Sequence, residues 1–291
     1  MTPQPAILAA VPPHAVFLFL DRAAGVAPGE ALAALAAAPH PDHLVAGVGP
    51  ALVAALGAQI PGLRGMPELV GPGVAIPSTP SELFLRVSGA DPGEVLHRER
   101  AVLARLPAFR VTERVAGFVH DHGHDLTGFE DGTENPEGDD VPRVALRSGE
   151  GPGLDGGSLV AVQRWAHDLD AFEALTPAQQ NDSIGRDRQT NEEDPDAPAT
   201  AHVKRTAQES FEPEAFVWRR SMPWRDARGA GLVFVSFSAS LDPFEAQLRR
   251  MAGAQDGLVD GLFAYTRPVT GATFFCPPLR EGRLDLRALR G

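Results

Sequence analysis

The stretch Gly128-Phe129-Glu130-Asp131-Gly132-Thr133-Glu134-Asn135-Pro136 concentrates the most suggestive chemistry in the chain. Two glycines bracket an acidic pair, and a turn signal, Asn135-Pro136, follows. Glycine lets a backbone take positive φ or approach a bulky partner closely, so a carboxylate on such a turn can face a ligand rather than water. Read alone, a plain polar turn is the simpler account of the same residues. A calcium loop does not fit. Asp131, Thr133, Asn135, Glu137 and Asp139 have suitable oxygen spacing, but the sixth and twelfth positions are Pro136 and Pro142, where an EF-hand needs glycine and glutamate.

Nine histidines and one cysteine are the other groups able to hold a metal. His120, His122 and His124 alternate, so on a strand they share a face; no fourth ligand is evident, and a solvated strand end explains them. His14, His40, His43 and His97 read as surface groups near helix ends or loops, and His167 as a cap at a helix start. Taken singly, His202 is an ordinary core or surface histidine. Cys276 sits in an apolar run and reads as a buried structural residue.

The segment GFEDGTENP resembles the G-x-x-D-G signature of dye-decolorising peroxidases, extended as in their bacterial cytoplasmic B/P-type members. Further segments are similar in the same order: Gly157 to Gln163 with His167-Asp168-Leu169, then Ile184-Gly185-Arg186, Ala201-His202-Val203 and Arg219-Arg220-Ser221-Met222-Pro223. Gly231-Leu232-Val233-Phe234 and Pro268-Val269-Thr270-Gly271 complete the series. The similar segments run from residue 128 to 276; the first half agrees in element order only.

The resemblance implies one haem b per chain, with His202 as the axial ligand of the iron. It implies that Asp131 moves the peroxide proton, as base and then acid, and that Arg219 stabilises charge on the departing oxygen. Glu130, Gly132, Thr133 and Glu134 of the same loop would contact the cofactor, as would Leu232 and Phe234 as an apolar lid. Arg186 would pair with a propionate. Ser221 stands where some relatives carry asparagine, leaving its distal role open. Where some relatives carry an aspartate to accept the second N–H of the ligating histidine, this chain has Ala264, and Asp260 or a backbone carbonyl is the replacement. The implied reaction is reduction of hydrogen peroxide through a ferryl intermediate, with oxidation of small organic donors such as dyes and phenolics. A haem-binding or haem-iron-release protein and a ferredoxin-like interaction module without haem are the competing readings. Trp165, Trp218, Trp224 and Tyr265 are candidates for electron relay, with core packing favoured for most; Trp224, beside an expected turn, is the one to test.

These groups need a scaffold. Ala15–Leu20, Leu44–Val48, Leu83–Val87 and Phe109–Val119 read as strands, with helices at Pro28–Ala38, Pro50–Leu56 and Pro92–Leu106. In the second half, Ser158–Trp165, Phe216–Arg220, Leu232–Phe237 and Ala272–Cys276 read as strands, and Asp168–Asn181 and Pro243–Met251 as helices. Gly71–Pro80 and Gly185–Thr200 read as loops, and Ala201–Arg205 as short and extended. The order β-α-β-β-α-β recurs. The expected fold is α+β: two ferredoxin-like domains with antiparallel sheets, 1–145 carrying the acidic loop at its end and 146–291 holding haem near the interface. The Gly- and Pro-rich stretch 135–157 is the expected boundary.

A formal charge of −12 over 291 residues argues against nucleic acid, which needs a basic surface. It also favours anionic donors in acid, where carboxylates protonate, and Asp131 is likewise expected to work best in acid. A single cysteine excludes an internal disulfide and fits a reducing compartment. Without a charged leader or a long apolar run, a cytoplasmic, non-membrane protein is expected. A homo-oligomer is expected; with the chain stopping at Arg290-Gly291 shortly after its last expected strand, packaging in an encapsulin shell is not expected.

Overall fold

The structure is a computed structural model describing residues 2–290. Eight strands carry the architecture: β1 (His14–Arg22), β2 (Leu44–Val48), β3 (Leu83–Gly89), β4 (Phe109–Phe118), β5 (Ser158–His167), β6 (Met222–Asp226), β7 (Gly229–Ser238) and β8 (Ala272–Cys276). Every pairing among them is antiparallel. Both halves follow β-α-β-β-α-β, and the two four-stranded sheets join at β8–β2 and β4–β6. Pairing of β5 with β7 closes the ring, so no central edge is left open.

Alternation along the strands divides the side chains. Val160, Val162, Val233, Val235 and Phe237 join Phe17, Phe19, Phe84 and Phe274 in one buried cluster. There Phe84 stacks on Phe274 at 5.3 Å between ring centres. Leu159, Trp165, Leu232 and Phe234 belong instead to the cluster packed under the helices. This second face is where a cavity opens.

Several local readings need correction. Ala201–Arg205 is not extended: a helix runs from His202 to Thr206, because the chain turns at Pro198 and the Ala201 carbonyl accepts from the N–H groups of Lys204 and Arg205, both at 3.0 Å. Asp168–Asn181 is two helices, Leu169–Glu173 and Pro177–Ile184; a complete capping box of Thr176 and Gln179 starts the second. The Gly71–Pro80 loop contains half of a small hairpin, Leu69–Gly71 with Val74–Ile76. The proposed boundary region holds a short helix, Asp140–Ala145. Trp224 lies within β6 rather than beside a surface turn; it is 1% exposed and donates to the Trp165 carbonyl at 2.9 Å. Among the described residues no helix is long and apolar enough to cross a membrane.

Candidate active site

The outward faces of β5 and β7 form one wall of a cavity. Leu232 pairs with Trp165 and Phe234 with Gln163, and all four line it. The helices His202–Thr206 and Asp242–Met251 form the opposite side. The loop carrying Asp125 to Asp131 and the two-residue strand Trp218–Arg219 close one end. Counting its open mouth and the solvent space there, the cavity spans about 940 Å³. Asp131, His202 and Arg219, the latter two 71 and 88 positions further along the chain than the first, all face this space.

His202 reaches the cavity from the first residue of its short helix. That helix packs against the end of Pro177–Ile184, where Gly185 takes φ +90°; a Cβ on Gly185 would stand 2.5 Å from Val203 Cγ2. His202 Nδ1 lies 2.8 Å from Asp260 Oδ2. Asp260 is 1% exposed, and its other oxygen accepts from the Leu262 N–H at 2.9 Å. A carboxylate partner fixes the ring and the tautomer, leaving Nε2 for a metal. Of the two acceptors considered from sequence, the carboxylate is the one beside this ring.

Asp131 is placed by its backbone. Its N–H donates to the Gly123 carbonyl at 3.0 Å, and Gly132 follows at φ +89°, close enough to Asn135 that a Cβ would meet Nδ2 at 2.8 Å. Asp131 borders three recesses, yet the surrounding protein desolvates its carboxylate enough to raise its pKa. The Arg219 guanidinium opposes that rise, and the negative charge of Asp125 adds to it. Asp125 shares the cavity but is shifted the other way. Burial acts to raise it; bonds from His167 Nε2 at 3.1 Å and from Thr127 outweigh this and hold its pKa below the ordinary value.

Asn135 joins the two halves of the acid–guanidinium pair. Its Oδ1 accepts from the Arg219 N–H at 2.8 Å, and its Nδ2 donates to the Arg219 carbonyl at 3.3 Å. Asn135→Ala should therefore lower stability by about 1–2 kcal/mol and slow any chemistry that needs Asp131 and Arg219 together. Denaturant unfolding alongside peroxide kinetics checks this; unchanged values in both would remove the clamp.

The remaining sequence candidates divide. Glu130, Thr133, Glu134 and Arg186 line an adjoining recess that shares Asp131, His202 and Arg219 with the cavity. Arg186 pairs with Glu134 at 2.5 Å and Glu193 at 3.0 Å and donates to the Asn191 carbonyl. Asn191 in turn donates to Glu130 and Thr133. Ser221 is buried beside a second recess that also borders Asp131 and Arg219; its hydroxyl accepts from the Val235 N–H at 3.3 Å. His120, His122 and His124 lie on a turn with Asp121 and His122 at positive φ, not on a strand. His167 caps nothing, since Asp168 accepts from the Ala171 N–H; it ends β5 and lies between Asp125 and Thr266. Neither arginine of the 219–220 pair is merely solvated, because Arg220 stacks 3.5 Å over the Trp218 ring. Sequence reading missed Asn135, the Asp125–His167 pair and Tyr265 as a cavity wall; only the acidic loop itself hinted at the first.

Comparison with known proteins identifies the family and the fold. Residues 122–281 match the family model described as Dyp-type peroxidase, C-terminal. A dye-decolorizing peroxidase of Rhodococcus erythropolis is 32% identical over 217 residues, 72% of this chain and 64% of that protein. Across four curated relatives of that name the matched part spans 57% to 71% of their lengths. Among solved structures, a dye-decolorizing protein from V. cholerae superposes with a TM-score of 0.83 at 30% identity, covering 94% of this chain and 96% of the other. A variant of DypB from Rhodococcus jostii, in complex with heme, gives 0.82 at 29% identity, covering 94% and 95%.

Proposed function

We infer, since this chain belongs to the Dyp-type peroxidase family, that its cavity holds haem and that it reduces hydrogen peroxide at the expense of small organic donors. The observation carrying this reading is that His202, backed by Asp260, lines the same cavity as Asp131 and Arg219. The donor set fits the group. A histidine whose Nδ1 is held by a buried carboxylate presents Nε2, the usual arrangement for a metal-binding imidazole, and the apolar walls of Leu232, Phe234 and Leu248 suit a macrocycle. Haem, when bound, supplies the redox chemistry.

The protein supplies the rest. His202 would ligate through Nε2, while Asp260 accepts the Nδ1 proton and orients the ring. The Asp131 carboxylate takes the proton from one peroxide oxygen and returns it to the departing one. Arg219 stays protonated and offsets the negative charge that develops there. Leu232 and Phe234 exclude water. Arg186 in the adjoining recess is the candidate for an anionic edge of the cofactor, in competition with its two carboxylates. Opposite shifts of two carboxyls in one site mark separate roles: Asp125 remains charged and orients His167, while Asp131 handles the proton.

The direct test is an absorption spectrum of the purified protein before and after peroxide. A Soret band that changes within milliseconds supports the reading. A haem spectrum that instead bleaches with iron loss favours haem-iron release, and a colourless protein from haem-replete cells sinks both. The pH dependence follows from Asp131. As base it must be ionised, so the rate of the peroxide-driven change should fall as pH drops through a midpoint above 3.8. An Asp131→Asn protein should show no such limb. A midpoint at or below the ordinary aspartate value would remove Asp131 as the base.

A further inference from the structure

Two carboxylates line the cavity from one closed loop. The Asp131 N–H donates to the Gly123 carbonyl at 3.0 Å and the Asp125 N–H to the Phe129 carbonyl at 2.8 Å, with His124 and Glu130 bridged between them. Carboxylates sharing a site oppose each other's ionisation, so the neighbours of each decide where a proton rests. Those neighbours differ.

Asp125 is surrounded by donors. Its Oδ1 lies 3.1 Å from His167 Nε2, and its Oδ2 accepts from the Thr127 N–H at 3.2 Å and the Thr127 hydroxyl at 2.8 Å. His167 is held in turn. Its Nδ1 lies 2.6 Å from Thr266 Oγ1, and that hydroxyl donates to the Ala166 carbonyl at 3.1 Å. With the threonine proton committed there, both ring nitrogens face acceptors, which is the bonding pattern of an imidazolium. Histidine carries its second proton in the acid range where carboxylates titrate. Asp131 has no comparable set. Among the described residues it is reached by the Gly132 N–H, and otherwise by charges acting through space: Arg219 from its short strand, His202 from the helix opposite and Asp125 from its own loop. Across the adjoining recesses stand His122, Arg220, Glu134 and Arg186.

We propose that the His167–Asp125 ion pair positions the proton of this cavity: it keeps Asp125 ionised, and that fixed negative charge keeps the exchangeable proton on Asp131. His167 thus acts through Asp125 and not on the oxidant. The catalytic meaning rests on the reading of Asp131 as base; the protonation pattern does not.

Two replacements should displace Asp131 in opposite directions. Infrared spectra of the ferric holoprotein, isotopically labelled at the aspartate carboxyl, report protonated aspartates directly, and subtraction of the Asp131→Asn spectrum assigns that residue. In Asp125→Asn the protonated Asp131 band should appear only at lower pH than in the unaltered protein, because the like charge is gone. In His167→Gln the band should persist to higher pH, and a second protonated carboxyl, that of Asp125, should join it. The acid limb of the peroxide-driven spectral change should follow the band in each variant. A purely structural role would instead slow both variants at every pH and leave the bands in place. Bands that stay put in both, or move the same way, overturn the proposal. Bands that move as expected without any acid limb in the rate uphold the pair and remove Asp131 as the base. If His167→Gln fails to fold, Asp125→Asn, which keeps the shape of the side chain, decides: an Asp131 band at unchanged pH overturns the proposal.

Discussion

His202→Ala is expected to leave the purified protein with at least about tenfold less haem than the unaltered chain and without its Soret band. Losing a partner behind a ligating histidine typically costs ten- to a hundredfold in metal affinity, and losing the ligand itself costs more. Asp260→Asn provides the graded comparison. It keeps the shape but removes the charge 2.8 Å from Nδ1, so haem content should fall less and the spectrum of the bound fraction should change. Neither replacement touches the barrel lumen, so far-ultraviolet circular dichroism should stay as it was. Full haem occupancy with an unaltered Soret band in His202→Ala would exclude this residue as the ligand.

The reason such a variant can be named from the chain, while its surroundings cannot, lies in the range of the signals. Leu44–Val48 and Ala272–Cys276 read correctly to the residue, because each is a short apolar run bounded by turn residues. The β6 strand around Trp224 was missed, since Met-Pro-Trp-Arg-Asp shows neither alternation nor a β-branched residue, and its place is set by pairing with β7 and β4. Ala201–Arg205 misled for a related reason: five residues hold too little periodicity to separate a turn of helix from an extended segment. Within the site, the acidic loop, His202 and Arg219 stood out by motif similarity alone. The Asn135 clamp spans 84 positions and the Asp125–His167 pair 42, and no local pattern announces a partner at that distance. Closure of the barrel, which carries β5 and β7 side by side, is what brings these distant groups to one cavity.

Asp131→Asn and Arg219→Leu should each slow the peroxide-driven spectral change by at least about tenfold, equivalent to about 1.4 kcal/mol of barrier. General-base assistance commonly contributes a hundredfold or more, and a single charge-stabilising donor a similar factor, so tenfold is a floor. Misfolding can be separated from chemistry. Folding raises the Asp131 pKa, so its charged form weighs against the folded state as pH rises from about 3.8 through the folded value; the asparagine variant should be no less stable at neutral pH. Arg219 is tied to Asn135 through its backbone N–H and carbonyl, and leucine keeps both bonds. The two replacements also differ in a way that only a direct Asp131–Arg219 interaction produces. Removing the guanidinium takes away the charge that holds the aspartate down, so the acid limb of the rate profile should move to higher pH in Arg219→Leu, move less in Arg219→Lys, and vanish in Asp131→Asn. Stopped-flow traces across pH measure all three. Rates unchanged from the unaltered protein in both single variants, or an acid limb that stays in place without Arg219, would show that these residues do not work as a pair on the oxidant.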